Sequence, residues 1–196
     1  MRREISTALR INLATLVLTG LLYPLAVTGI ARLLAPERAG GSLVSDEAGH
    51  VVGSELIGQP FTRPGYIWPR PSAAGANGYD ATASGGSNLG PTSQKLHDRA
   101  AADVERLRAA NPDASGAVPA ELVTTSASGL DPHLSPEAAL WQAPRVARAR
   151  EVDVARVRAV IEGQVEGRSF GLLGEPRVDV LLVNLALDRQ FGRAPE

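Results

Sequence analysis

Ile11 to Ala31 is a run of 21 residues without a charged side chain, reading INLATLVLTGLLYPLAVTGIA. As an α-helix, at about 1.5 Å per residue, such a run reaches across the roughly 30 Å of a bilayer's hydrocarbon. Leu33, Leu34 and Ala35 continue it past Arg32. A cleaved signal peptide has a shorter apolar stretch of roughly 7 to 15 residues, so the run predicts an uncleaved anchor, although triplets such as Gly29-Ile30-Ala31 have the small residues that cleavage requires. Orientation follows nearby positive charge. Arg2, Arg3, Arg10 and the terminal amine precede the run and only Arg32 and Arg38 closely follow it, which predicts a cytoplasmic N-terminus. The expected organisation is a cytoplasmic tail over 1–10, a transmembrane helix over 11–34, a linker over 35–45 and a soluble domain over 46–196 outside the cytoplasmic membrane.

Within the span, Asn12, Thr15, Thr19 and Tyr23 are spaced by three, four and four residues, so a helix gathers them into one polar stripe. Polar side chains in lipid bond across helix interfaces, which makes these four candidates for contact with a partner helix. The competing reading is that the Thr hydroxyls bond back to carbonyls of their own helix. Pro24 removes one backbone hydrogen bond and predicts a kink.

Composition narrows what the rest can do. The 20 basic and 21 acidic side chains leave a formal charge of −1, which excludes nucleic-acid binding driven by bulk charge. Aromatics are 4% against 44% hydrophobic residues, so the core must be built from Leu, Val, Ile and Ala. The absence of Cys excludes thiol nucleophiles, disulfides and zinc-thiolate sites. His50, His97 and His133 lack ligand spacing, and no metal is expected. Lys95 is the sole lysine and falls in a helix rather than after a glycine loop, so a Walker-type phosphate loop is absent.

The soluble part reads as one α+β domain without βαβ alternation. Val51–Ile57 has strand composition interrupted at Gly53, and a long loop runs over 58–91. A helix from Thr92 or Ser93 to Ala110 would pack by Leu96, Ala100, Val104 and Leu107 and stop at Asn111-Pro112. Leu122–Thr125 is a strand candidate. Ser135 caps a helix with Pro136 first, ending near Ala143 before Pro144. Asp153 caps another over Val154–Val165, which Gly167 would end, and Val178–Val183 reads as a buried strand.

Three places can carry chemistry. Ser84, Gly85, Gly86, Ser87 and Asn88, before a helix start, can present backbone amides to an anion or a partner chain, or can simply form a tight turn. Ser87 misses the Gly-x-Ser-x-Gly elbow because Leu89 stands at the second glycine position. Ser126, Ser128, Asp131 and His133 allow an anchored hydrolase, against a plain turn feeding the Ser135-capped helix. Gln142, Arg145, Arg148 and Arg150 form a cluster able to meet phosphate or an acidic surface, against a solvated or carboxylate-paired face.

Taken in order behind one span, eight segments resemble the C-subunit family of the Kdp potassium-transporting P-type ATPases. They are Gly53-Ser-Glu-Leu-Ile-Gly-Gln59, Arg70-Pro-Ser72, Ser84-Gly-Gly-Ser-Asn-Leu-Gly-Pro-Thr92, Val118-Pro119, Ser126-Ala-Ser-Gly-Leu-Asp-Pro-His133, Gln142-Ala-Pro-Arg-Val-Ala-Arg148, Leu173-Gly-Glu-Pro-Arg177 and Asn184-Leu-Ala-Leu-Asp188. Asp179 and Ser93 depart from the family pattern, each standing where Asn is usual. The resemblance implies an accessory, non-enzymatic subunit of a membrane complex whose partners are a potassium-conducting, channel-like subunit and an ATP-hydrolysing P-type subunit. It also implies a catalytic chaperone that raises the ATP affinity of the hydrolysing subunit. The family glutamine proposed to meet nucleotide matches Gln142, with Arg145 beside it, so any ATP would be shared with the hydrolysing subunit rather than held firmly here. The chain lacks the Asp-Lys-Thr-Gly phosphorylation motif. An outside domain and a cytoplasmic nucleotide conflict, and direct ATP coordination is the weaker of the two expectations. A membrane-anchored binding module acting through the glycine-rich loop is the further alternative.

Overall fold

The computed structural model describes residues 1–46 and 48–195; Glu47 and Glu196, inside the expected 46–196 domain, lie outside the described residues. The chain divides into two units, Met1–Leu43 and Val44–Glu196.

The first unit is dominated by a helix of 33 residues, Arg2–Leu34, long and apolar enough to cross a membrane. It consists of α1 (Arg2–Val17), a π-helical turn (Leu18–Leu22) and α2 (Tyr23–Leu34). The expected tail over 1–10 is therefore helical from Arg2 onward. Pro24 lies in the first turn of α2, directly after the π turn. Its ring would clash with the carbonyl four residues back and it has no N–H to donate, and a wider turn relieves both defects. None of the helix's side chains is buried within the chain. Part of the polar stripe follows the own-helix alternative: Asn12 Nδ2 donates to the Ala8 carbonyl at 3.1 Å and Thr19 Oγ1 to the Thr15 carbonyl at 2.8 Å. A single turn, α3 (Pro36–Ala39), lies within the expected linker.

β1 (Leu43–Ser45) and β2 (Val51–Ser54) form a two-stranded sheet. β2 passes through Gly53 instead of breaking there, and residues 55–93 form turns and coil, as the Gly- and Pro-rich sequence predicts. α4 (Gln94–Ala110) ends where Asn111-Pro112 predicts. Of its expected stripe only Leu107 is buried; Ala100 packs against the core half-buried, and Val104 is 38% exposed. The domain's other sheet orders β3 (His133–Leu134), β5 (Arg177–Asp179) and β4 (Val165–Glu166), all antiparallel, with Leu134 and Val165 both opposite Val178. Around it pack α5 (Pro136–Trp141), α6 (Ala143–Ala149), α7 (Val154–Gly163) and α8 (Val180–Phe191). Their core is Ile67, Leu134, Val146, Val157, Ile161, Val178, Val183 and Leu187. This aliphatic core in an α+β domain is what the aromatic-poor composition requires.

Side-chain caps explain where helices replace the expected strands. Asp179 Oδ1 accepts from the Leu182 N–H at 2.9 Å, so Val180–Val183, apolar enough for a strand, open α8 instead. Burial pushes the Asp179 carboxyl above its ordinary range, offset in part by that N–H. Leu122–Thr125 is not a strand, because Ala120–Leu122 forms a 3₁₀ turn. Glu121 there accepts from the Ser135 N–H at 3.0 Å while Ser135 caps α5, accepting from the Ala138 N–H at 3.2 Å. α5 ends at Trp141, close to the end near Ala143 that Pro144 predicts, but helical structure resumes at once. The chain breaks once at Gln142 and Pro144 occupies the first turn of α6, where its missing N–H costs nothing. Asp153 caps α7 as expected, but α7 stops at Gly163, four residues before Gly167.

Candidate functional site

The segment Arg63–Trp68 has no regular secondary structure, yet Tyr66 and Ile67 are buried. Its backbone polar groups therefore need partners, and the surrounding helices supply them as side chains. Asn184 on α8 takes both sides of one residue: its Oδ1 accepts from the Ile67 N–H at 2.7 Å and its Nδ2 donates to the Ile67 carbonyl at 2.9 Å. Gln142, between α5 and α6, repeats the arrangement on the next residue. Its Oε1 accepts from the Trp68 N–H at 2.9 Å and its Nε2 donates to the Trp68 carbonyl at 3.0 Å. Two side-chain amides thus act as the neighbouring strand that this segment lacks.

Arginines hold the segment from the other side. Arg145 Nη2 donates to Gln142 Oε1 at 2.7 Å and Nη1 donates to the Pro64 carbonyl. The guanidinium lies 3.7 Å from the Trp68 ring centroid, and Arg106 approaches the same ring at 5.6 Å. Burial, with smaller contributions from Arg148 and Arg106, lowers the Arg145 pKa to about 9, so it remains cationic at neutral pH. Arg150 Nε donates to the Gly65 carbonyl at 2.6 Å, and Nη2 pairs with Asp188 Oδ1 at 2.7 Å. Nη1 donates to the Gly192 carbonyl at 2.6 Å. Tyr66 closes the ring, its hydroxyl donating to Asp188 Oδ2 at 2.9 Å, and burial together with that carboxylate raises its pKa.

This geometry changes what the Gln-x-x-Arg segment offers. Gln142 is fully buried and Arg145 is 3% exposed. Oε1 of Gln142 accepts two bonds and Nε2 donates to Trp68 and, at 3.4 Å, to the Ala138 carbonyl, so its hydrogen-bonding capacity is filled inside the chain. The arginine cluster does not converge on one surface. Arg145 and Arg150 turn inward, and Arg148 pairs with Asp113 and donates to the Ala110 carbonyl at 2.8 Å. Sequence reasoning missed Tyr66, Asn184 and Asp188 as members of the network; the available signal was a lone Asn within the apolar run Val180–Leu187.

The glycine-rich loop and the serine cluster meet each other. The Gly85 N–H donates to the Ser128 carbonyl at 2.8 Å, and Ser84 Oγ donates to the same oxygen at 3.1 Å. A Cβ on Gly86 would stand 3.0 Å from the Ala127 carbonyl oxygen. Gly129, at φ +67°, has no room for a side chain, since its Cβ would lie 2.7 Å from both the Ala74 nitrogen and the Gly85 oxygen. These contacts make the loop a turn that holds 126–130 in place. Ser87 and Asn88 lie beyond them, Asn88 at φ +52°.

Asp131 Oδ1 accepts from the His133 N–H at 3.0 Å and lies 3.3 Å from its Nδ1, and Arg70 Nη1 pairs with Oδ2 at 3.1 Å. His133 ahead of Arg70 holds the Asp131 pKa below the ordinary carboxylate range. Ser126 and Ser128 face each other at 3.4 Å, and among the described residues neither hydroxyl bonds His133. A nucleophile needs its base within hydrogen-bond reach, so the hydrolase arrangement is not assembled. Among the described residues no group of three or more His, Asp or Glu side chains is placed to hold a metal.

A model of the KdpC family, described as the c chain of K+-transporting ATPase, matches residues 5–189. The chain belongs to the KdpC family. It is 71% identical over 190 residues to the potassium-transporting ATPase KdpC subunit of Myxococcus xanthus, covering 97% of this chain and 90% of that one. The KdpC subunits of Methylobacterium nodulans and Rhodospirillum rubrum are each 53% identical, covering 98% and 97% of this chain and 100% and 98% of their own. It is therefore a non-catalytic subunit of a potassium-transporting ATPase, consistent with the missing phosphorylation motif. The clamp around Arg63–Trp68 draws on two segments that carried the family resemblance, Gln142–Arg148 and Asn184–Asp188.

Proposed function

We propose that the chain assembles and braces an ATP-driven potassium uptake complex, with its N-terminus in the cytoplasm and the Val44–Glu196 domain outside the cytoplasmic membrane. Its partners are the potassium-conducting, channel-like subunit and the ATP-hydrolysing P-type subunit. The helix Arg2–Leu34 docks in the membrane, with Tyr23 and the remaining polar capacity of Asn12 and Thr15 toward a partner helix. The domain caps the ion-conducting partner at its outer face. Any rise in the hydrolysing subunit's ATP affinity then follows from assembly, with Gln142 and Arg145 shaping this domain rather than touching nucleotide.

The observation that carries this reading is the saturation of Gln142. A side chain with no exposed surface and both ends bonded to its own chain would have to break those contacts to reach a ligand. The test is copurification. A tagged chain coexpressed with the other pump subunits and extracted in mild detergent is expected to migrate with them as one species. Migration of the chain alone would overturn the proposal.

A further inference from the structure

Beside the clamp lies a cavity of about 510 Å³, within the roughly 300–1,000 Å³ of small-molecule sites. Phe61, Trp68 and Tyr79 line it together with Arg70 and Arg106, and among the described residues no Asp or Glu does. The aromatic residues are held in place. Trp68 Nε1 donates to the Arg63 carbonyl at 2.9 Å, in addition to the backbone bonds with Gln142. Tyr79 stands at φ +58°, a left-handed conformation that bulky residues rarely adopt and that persists only where the surroundings fix it. Its N–H donates to Ser72 Oγ at 2.7 Å and its hydroxyl donates to the Arg70 carbonyl. The arginines keep donors to spare. Arg70 Nη1 pairs with Asp131 at 3.1 Å and Arg106 Nη2 with Asp103 at 2.9 Å, and neither carboxylate lines the cavity. Arg70 Nε is buried with no hydrogen-bond partner among the described residues, so that guanidinium is satisfied on one side only.

We propose that this cavity binds an acidic sugar, a pyranose ring carrying one carboxylate, with the apolar face of the ring toward Trp68 and Tyr79 and the carboxylate toward Arg70 and Arg106. A guanidinium meets a carboxylate with a planar fork of donors, and Arg106 lies 5.6 Å from the Trp68 ring centroid, so the places for head and ring adjoin. Thr62 and Asn77 line the same cavity and carry the hydroxyl and amide groups that sugar hydroxyls pair with. Charge sets the class of ligand. Each guanidinium already has one carboxylate partner, so the two together answer one further negative charge and not the several of a nucleotide. A neutral apolar ligand would cover arginine donors without pairing them, and a bare inorganic anion would leave the aromatic wall wet. Only the source of such a sugar, polysaccharide outside the cell, rests on the placement proposed above.

The test titrates the purified full chain in detergent with sodium glucuronate, glucose and sodium acetate, followed by tryptophan fluorescence. Trp141, the other tryptophan, does not line this cavity, so the response reports on Trp68. The expected result is a saturable change with glucuronate, at a dissociation constant about tenfold or more below those of glucose, which lacks the charge, and acetate, which lacks the ring. Arg106→Gln, at a side chain 55% exposed, is expected to weaken glucuronate about tenfold with the unfolding midpoint unchanged. No saturable change, an equal affinity for acetate or glucose, or an unaltered affinity in Arg106→Gln would each overturn the proposal. Adenosine monophosphate binding more tightly than glucuronate would overturn it too and give the cavity to a nucleotide. If Arg106→Gln unfolds, the titrations of the unsubstituted chain decide. Because binding is read on the chain alone, its failure leaves the assembly reading standing, and failure to copurify with the pump leaves the cavity standing.

Discussion

Replacing Arg150 by methionine is expected to lower the unfolding free energy by about 3–5 kcal/mol, the range for breaking a buried ion pair by removing one partner. The Arg150 side chain is 2% exposed and reaches the Gly65, Leu187 and Gly192 carbonyls as well as Asp188. Methionine fills the volume but leaves three carbonyls and one carboxylate oxygen without their donor. Tyr66 would still donate to Asp188 Oδ2. Arg150→Lys should recover less than half of the loss, since one ammonium cannot serve a fork of acceptors on different segments. Denaturant unfolding of the full chain in detergent checks both variants, read through the fluorescence of its two tryptophans, Trp68 and Trp141. A loss below about 1 kcal/mol for methionine, the value of an exposed pair, would contradict the clamp.

Gln142→Leu is the second large effect, with an expected loss of about 2–4 kcal/mol. Each orphaned buried polar group costs about 1–3 kcal/mol, and the substitution orphans the Trp68 N–H and carbonyl and one Arg145 donor. Trp68 should also shift its emission, because the guanidinium stacked on it keeps its bond to the Pro64 carbonyl but loses the one to Gln142. This variant separates the two readings of Gln142. Under the bracing account, the ATP response of the assembled pump falls only as far as the chain's stability and incorporation fall. A folded, fully incorporated Gln142→Leu chain that abolishes the ATP response would instead make Gln142 a nucleotide contact.

The features most legible in the sequence were those set by short-range chemistry. An uncharged run of 21 residues sits inside the helix Arg2–Leu34. Ser135 with Pro136 opens α5, and Asp153 opens α7. Local composition misled where a cap outweighed it. Val180–Val183 has strand propensity, but Asp179 immediately before it bonds the Leu182 N–H and starts a helix. Pro144 disfavours the residue before it from being helical, yet it is compatible with the start of a new helix once the chain has bent at Gln142. The candidate site was legible in its residue types but not in its role. Gln142 and Arg145 are the residues that the family resemblance singled out, whereas their partners lie at Pro64 and Trp68, more than 70 positions away in the chain. No local pattern encodes that pairing, because the clamped segment has no secondary structure and its bonds arise only when α6 and α8 pack around it. The glycine-rich loop is similar: its amides looked available, and Gly85 turned out to spend its N–H on Ser128.

The central claim, that this domain acts from outside the membrane without touching cytoplasmic ATP, is tested most directly by thiol accessibility. The chain has no cysteine, so Lys95→Cys on the exposed side of α4 introduces the sole reactive thiol. Intact and permeabilised cells expressing the whole complex are treated with a membrane-impermeant maleimide, beside cytoplasmic and external control positions on known proteins. Labelling of intact cells to the same extent as permeabilised ones is the expected result. Labelling only after permeabilisation, with the external control reacting normally, would put the domain in the cytoplasm and contradict the account.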